Sequence, residues 1–483
     1  LPQQSGLLLR GSAALAGPAW LRRHVAADGA YSLVGLIHTL GPAAIRGQVM
    51  ALAQAPVHPW DALICTSPSV KAVVEQLLEQ QEAWHRHRFG ATRHPRPQLP
   101  VLPLGVDAAQ LERQASDGSA RASLRAQLSL ADDDLLVLWV GRLSYFEKAF
   151  PQAMVQAVHQ ASARTSSRLV LALAGWFPNG DADRQRYLQA AAALAPGLQV
   201  SLLNGGNRAL LAQAWAAADV FLSLVDNIQE TFGLAPVEAM AAGLPVVVSD
   251  WDGYRVTVRD GVDGFRVPTL ASAAGAPGEL LAQLHDFELE TYQTYAGAVA
   301  QHTAVHVGCA ADALVALAES PELRARMGAA GRQRAQALFD WPAVVPHYNA
   351  LFSDLAERRA HAQRDGLCSG VTRLQPGRGD PFADFAGFAS SVLQPDRQLR
   401  LAPGVTAADL QARLAVQLNR LYPGLRGTPA EAQALLAALE AAEPAGLSVA
   451  DLLAAAAPER HPWLNTTLVW LAKQGLVDWL PPN

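Results

Sequence analysis

Cysteine is scarce in this chain: three residues, Cys65, Cys309 and Cys368, odd in number and far apart. That argues against a disulfide framework and points to a reducing compartment, the cytoplasm. An excess of one charge is also lacking, since 38 Lys and Arg face 43 Asp and Glu. Such a mildly acidic balance offers no general attraction to nucleic acid or anionic lipid, and nucleic acid is not expected as a partner. No apolar run reaches the roughly 18 residues of a spanning helix, so membrane contact is expected to be peripheral at most, at the inner membrane. No basic-then-apolar leader opens the chain, and it begins at Leu1 without Met, which reads as a missing beginning. No long internal repeat is present.

What is present is a soluble globular composition, half hydrophobic, over 483 residues, too many for one core. Short apolar runs recur: "YSLVGLIHT" (31–39), "DALICTS" (61–67), "LPVLPLG" (99–105), "LLVLWVG" (135–141), "RLVLALAG" (168–175), "DVFLSLV" (219–225) and "LPVVVSD" (244–250). Ala- and Leu-rich helical stretches separate them. Runs apolar throughout, alternating with helices, predict parallel strands buried on both faces and therefore doubly wound α/β domains. The charged stretch 107–134 divides the strands into two groups. The expected organisation is a first α/β domain over 1–108, a second over 109–340, a crossover helix over 341–360, a Gly-, Pro- and Asp-rich linker over 361–400, and a small helical module over 401–483.

The segment "NIQETFGLAPVEAMAAGLPVVVSD" (227–250) sets Glu230 and Glu238 seven residues apart across a strand-to-helix turn. Pro236 suits the first helical turn and Gly243 its end. Between the acids, backbone N–H groups at Phe232, Gly233 and Leu234 form the positive end of the helix, where a phosphate binds well. A ligand with an anionic centre and hydroxyls at either end fits, and a nucleotide sugar has that layout, with carboxylates accepting from paired sugar hydroxyls. Taken alone, two acids at a helix start read first as decoration, since Asp and Glu are common there. In "VGRLSYFEKAF" (140–150), Arg142 and Lys148 follow the first strand of the second domain, at the strand end where open α/β sheets bind ligands. Two fixed cations there would stabilise a departing nucleoside diphosphate.

Taken together, "GR" with a lysine six residues after the arginine, "AG" in "LALAGWF", "ADVFLSL", the paired glutamates around "FG", "AMAAGLPVVVSD" and "DGVDGF" closely resemble glycosyltransferase family 4. The match spans roughly residues 31–355 and is densest over 136–267. The resemblance implies the GT-B fold, two Rossmann-like domains facing a cleft, and a retaining hexosyltransferase of the kind found in polysaccharide biosynthesis. It implies that Glu238 holds the ribose, that Glu230 faces the donor sugar, and that Arg142 and Lys148 bind the diphosphate, with Gly141, Gly175, Thr231, Phe232, Gly233 and Leu234 around the donor. "GLIHTLG" matches the family's strand ending in a histidine, which implies that His38 lies beside the donor sugar.

Two departures stand out. Trp251 and Asp252, in "SDWDGYR", replace the family's Gly-Gly pair, which implies a differently shaped sugar end. "GVD" at 105–107 arrives early, and neither an opening strand nor a Gly-rich loop is evident before residue 31, so the first domain reads as truncated. The pairs Asp181 with Asp183 and Asp250 with Asp252 match an Asp-x-Asp metal pattern, but cations already serve the diphosphate, so neither metal nor cofactor is expected beyond the donor itself. The basic run 84–97 reads as a solvated loop. The terminal module, with helices expected near 406–421, 429–442 and 448–457 and a last helix running into a strand, resembles a winged helix-turn-helix. Its seven acidic and five basic residues argue against DNA, so a protein partner is expected. The reading is a metal-independent, retaining transfer of sugar from a nucleotide-diphospho-sugar to an unidentified glycan, lipid or protein. A GT-B phosphorylase or nucleotide-sugar epimerase is the rival within the fold. A non-catalytic sugar-nucleotide-binding subunit acting through the module is the rival from another class.

Overall fold

A computed structural model describes residues 6–368, 375 and 378–479. The chain divides into two compact units, residues 1–373 and 374–483. Residues 369–374 and 376–377 of the expected linker, and the last residues of the expected module, 480–483, lie outside the described residues.

The first unit contains two parallel sheets. Strands β1 (Leu7–Arg10), β2 (Ser32–Leu36) and β3 (Ala62–Ile64) form the first, in that spatial order. Strand β1 corrects the expectation that nothing precedes residue 31. It is a short edge strand, mostly exposed, and so shows no buried apolar run. The expected strand over 99–105 is instead an extended segment bonded to β3 at Gln98, Pro100 and Leu102, with bridges only at Gln98 and Val101. Pro100 and Pro103 have no N–H, which interrupts the ladder. A buried pair holds this domain together: the Arg22 guanidinium donates to both Asp61 oxygens at 2.6 and 2.8 Å, and Asp61 also accepts from Leu33 and His58 N–H.

The second sheet has six strands: β4 (Leu135–Val140), β5 (Leu169–Gly175), β6 (Gln199–Asn204), β7 (Val220–Ser223), β8 (Val246–Ser249) and β9 (Gly264–Val267), ordered β6-β5-β4-β7-β8-β9 and parallel throughout. Alternation along β4 sends Leu136 and Leu138 into one hydrophobic layer and Leu135, Val137 and Trp139 into the other, so both faces are covered. The charged stretch after residue 107 folds into helices Ala108–Ala115 and Gly118–Gln127, capped by Asp107 and Asp117, which pack onto this sheet's core. A hairpin of β10 (Thr269–Ala271) and β11 (Thr303–Val305) follows.

The chain crosses between the domains twice, side by side: Val106 N–H donates to Phe339 O at 2.8 Å and Trp341 N–H to Val106 O at 3.1 Å. The helix Trp341–Arg364, four residues longer than expected, then returns to the first sheet, burying Leu355 against Val34, Ala62 and Ile64. This is the pair of Rossmann-like domains facing a cleft that the GT-B expectation describes. No helix among the described residues is long and apolar enough to cross a membrane.

The second unit is not purely helical. Strands β12 (Gln398–Leu401), β13 (Leu447–Ser448) and β14 (Val477–Trp479) form an antiparallel sheet ordered β13-β12-β14, so this module begins before residue 401. The expected helix over 406–421 is broken into Ala407–Asp409, Leu410–Ala415 and Gln417–Arg420. Helices Pro429–Ala441, Val449–Leu453 and His461–Lys473 complete the module around a leucine-rich core.

Candidate functional site

The sheet order reverses between β4 and β7, and the loops leaving the carboxyl ends of these two strands form the site, as expected for an open α/β sheet. The loop after β4 carries Gly141 to Phe150, and the turn after β7 runs from Leu224 to Gly233, where the helix Leu234–Ala241 begins. Together they wall a cavity of about 290 Å³, which His38 of the first domain also lines.

Two residues hold these loops in register. Asn227, fully buried, donates from its side-chain amide to Phe146 O in the first loop, accepts from Gln229 N–H at 2.8 Å through its side-chain oxygen, and accepts from Trp251 Nε1 at 3.0 Å through its carbonyl. Asp226 accepts from Phe150 N–H, with both oxygens at 3.4 Å. Burial pushes the Asp226 carboxyl up to about 8, against the pull of that N–H, so it is largely neutral at pH 7.

Within the cavity the Lys148 ammonium donates to Glu230 Oε2 at 3.1 Å. The other oxygen of Glu230 accepts from Thr231 N–H at 3.2 Å and Gly233 N–H at 3.1 Å. Burial works to raise this carboxyl, but the Lys148 charge and the backbone donors override it and hold it below its ordinary range. Glu238, one helical turn in, is held above its range by burial, with Lys148 opposing. Gly233 adopts φ +90°, and a Cβ there would lie 2.1 Å from the Tyr254 ring, so both backbone and space require glycine. Tyr254 in turn bonds Ser223 at 3.0 Å.

The cavity brings together His38, Gly141, Lys148, Glu230, Thr231, Phe232, Gly233, Leu234 and Glu238. Arg142 and Gly175 lie outside its lining. Arg142 turns instead to Glu147, 2.9 Å away. Gly175 acts one step removed: a Cβ there would fall 1.9 Å from Gly141 O, so its bareness lets the β4 and β5 ends close together. The expectation of open N–H groups at the helix start is corrected for Gly233, whose N–H is bonded to Glu230, with Phe232 N–H drawn to the same carboxylate.

The two domains are stitched at this point. Thr66 Oγ1 donates to Thr231 O at 3.0 Å, Thr231 Oγ1 donates to His38 O at 2.9 Å, and Ser67 Oγ donates to Asp252 Oδ1 at 2.5 Å. Asp252, which departs from the Gly-Gly pattern, therefore bonds the start of the first-domain helix Pro68–Phe89. Burial raises its carboxyl to about 7, with Ser67 opposing and the Glu230 charge adding. A second cavity of about 330 Å³ shares Glu230 and Thr231 and is walled by Leu40 and Val70 from one domain and Trp251, Asp252 and Arg255 from the other. The remaining acids of the Asp-x-Asp pairs face cations: Asp181 faces Arg184 at 3.7 Å, Asp183 Arg186 at 2.5 Å and Asp250 Arg266 at 3.3 Å. Sequence reasoning missed Asn227 and Asp226, because polar residues after a strand read simply as a turn.

Residues 120–298 match the family model described as glycosyl transferases group 1, a span containing Arg142, Lys148, Glu230 and Glu238. The chain is 29% identical over 253 residues to a D-inositol 3-phosphate glycosyltransferase of Nocardia farcinica, covering 52% of this chain and 53% of the relative. It is 32% identical over 260 residues to a D-inositol 3-phosphate glycosyltransferase of Streptomyces griseus, covering 52% and 46%. The chain thus spans about half the length of these curated relatives. Among solved structures, Anabaena HepE in complex with UDP and glucose aligns over 75% of this chain and 78% of its own, at 17% identity and a TM-score of 0.49.

Proposed function

We propose that this chain transfers a hexosyl group from a nucleotide-diphospho-sugar to an acceptor hydroxyl, with retention of anomeric configuration and without a metal, as glycosyltransferase family 4 does. The observation that carries the reading is the Lys148–Glu230 pair, 3.1 Å apart at the switch point of the sheet, in one cavity with Glu238. The donor diphosphate competes with Glu230 for the Lys148 ammonium, which gains most when the sugar–phosphate bond breaks and charge gathers on the leaving oxygens. Glu238, one helical turn further in, accepts the ribose hydroxyls. Glu230, displaced toward the sugar, accepts from its hydroxyls, and His38 closes that end. The neighbouring cavity, walled by both domains, gives an acceptor room beside Glu230. Retention follows if the departing phosphate takes the acceptor proton on the face it leaves. Similarity to D-inositol 3-phosphate glycosyltransferases makes D-inositol 3-phosphate the first acceptor to try.

The test is turnover of a panel of UDP-, GDP- and ADP-sugars, read as release of nucleoside diphosphate. Lys148→Ala is expected to lower both kcat and kcat/KM, by about 10²–10³-fold, the scale of losing one group that stabilises developing charge. A change confined to KM would assign Lys148 to uniform binding instead. Binding of a sugar nucleotide without turnover across the panel would favour the non-catalytic subunit.

A further inference from the structure

In the second unit, residues 416–425 expose a run of apolar side chains. The segment runs from the helix Leu410–Ala415 through two single 3-10 turns, Gln417–Arg420 and Pro423–Leu425. Three of its polar side chains bond its backbone, while Arg413 and Arg420 stay exposed. Asn419 Nδ2 donates to Arg413 O at 2.9 Å and Arg420 Nε to Leu414 O at 2.7 Å. The Arg426 guanidinium donates to Asn419 O at 3.2 Å and Leu421 O at 3.1 Å while lying 4.5 Å over the Trp470 ring. Leu410 and Leu414 pack on the module's core, but the apolar side chains after Ala415 turn outward. Leu418 is 75% exposed and Tyr422 90%, and Val416, Leu421 and Leu425 are exposed with them. Single exposed apolar residues are ordinary, whereas five within ten positions mark a contact surface.

Charge is segregated to the same place. Residues 410–430 carry three Arg and no Asp or Glu, directly after Asp409, whose charge Arg413 faces, while residues 431–479 carry six acidic and two basic residues. Neither Leu418 nor Tyr422 lines the neighbouring cavity of about 300 Å³. Side chains so fully extended into solvent would need a matching hollow in a protein partner but none in a lipid layer, which deforms around them. Tyrosine is also suited to the boundary between head groups and acyl chains, where its ring is apolar and its hydroxyl wet.

We propose that this face docks on an anionic lipid surface, with Val416, Leu418, Leu421, Tyr422 and Leu425 entering the interfacial layer and Arg413 and Arg420 meeting the head-group phosphates. Two signals, apolar insertion and basic attraction, are the combination that gives measurable peripheral binding. The test is sedimentation of the full chain with vesicles of phosphatidylcholine containing about a quarter phosphatidylglycerol, against vesicles of phosphatidylcholine alone. Binding is expected to the anionic vesicles, weakened by salt. The exposed double substitution Leu418→Asp with Tyr422→Asp is expected to lower it by about tenfold or more with an unchanged melting temperature, and Arg413→Glu to lower it only on anionic vesicles. No sedimentation of the unsubstituted chain would overturn the proposal, as would equal sedimentation of the double variant, which would move the lipid contact elsewhere, for instance to residues 84–97. A solution dimer that the double variant dissolves, with no vesicle binding, would assign the face to a second copy and overturn it too.

Discussion

Asp226 shows how a single buried side chain shapes the region around Lys148. Burial raises the Asp226 carboxyl to about 8, while Asp226 accepts from Phe150 N–H in the loop that carries the lysine. The same shift makes stability depend on pH. A carboxyl whose folded value lies near 8, against 3.8 ordinarily, keeps its proton in the folded state where the unfolded chain has lost it. Its contribution is therefore complete below about pH 4 and is lost as the pH rises toward about 8. Asp252, raised to about 7, adds in the same direction. Asp226→Asn keeps a neutral polar group of the same shape, so its melting temperature should fall less steeply than that of the unsubstituted chain between about pH 5 and 8. Parallel curves for the two proteins would show that Asp226 is ionised in the folded state. Neither shift was legible in the sequence, because burial is a property of the assembled fold. Glu230 and Glu238 stood out only through the set of motifs around them, because acids at a helix start are common anyway.

At the scale of elements, the strands found from sequence were those buried on both faces. Strands β4, β5, β7 and β8 are continuous apolar runs because helices cover each side. Strand β6, an edge strand only partly buried over most of its length, reads "QVSLLN", and β9 reads "GFRV", with Arg266 in the middle; neither carries that signal. The loops between strands were located but not their mutual support. Asn227 bonds the Lys148 loop, the Glu230 turn and Trp251 at once, so under the proposed transfer it is a positioning residue for those segments. Asn227→Ala is expected to cost about 1–3 kcal/mol of stability from the buried partners it leaves unpaired. It should also lower kcat/KM by about tenfold or more through misplacement of Lys148 and Glu230. Unchanged kinetics in a folded Asn227→Ala protein would show that the loops keep their register without it.

At the scale of the whole molecule, the GT-B-like pairing of two parallel sheets was legible from the grouping of strands, whereas the antiparallel sheet of the terminal module was not. Its strands have two to four residues, and β12 pairs across long separations with β13 and β14, as in Leu399 with Leu447 and with Trp479, so no local pattern announces them. The stitching of the two Rossmann-like domains through Thr66, Ser67, Thr231 and Asp252 was equally hidden, since it joins residues more than a hundred positions apart. Through that stitching His38 lines the same cavity as Lys148, Glu230 and Glu238, and the proposed nucleotide recognition is assigned to that cavity. Calorimetric titration of the full chain with UDP, GDP and ADP, alongside Glu238→Ala, tests this most directly. The account predicts saturable binding of at least one of the three, weakened by about 1.5–3 kcal/mol in Glu238→Ala, the scale of a hydrogen bond to a charged group. Equal affinity in the two proteins, or no binding of any nucleoside diphosphate to the unsubstituted chain, would contradict it.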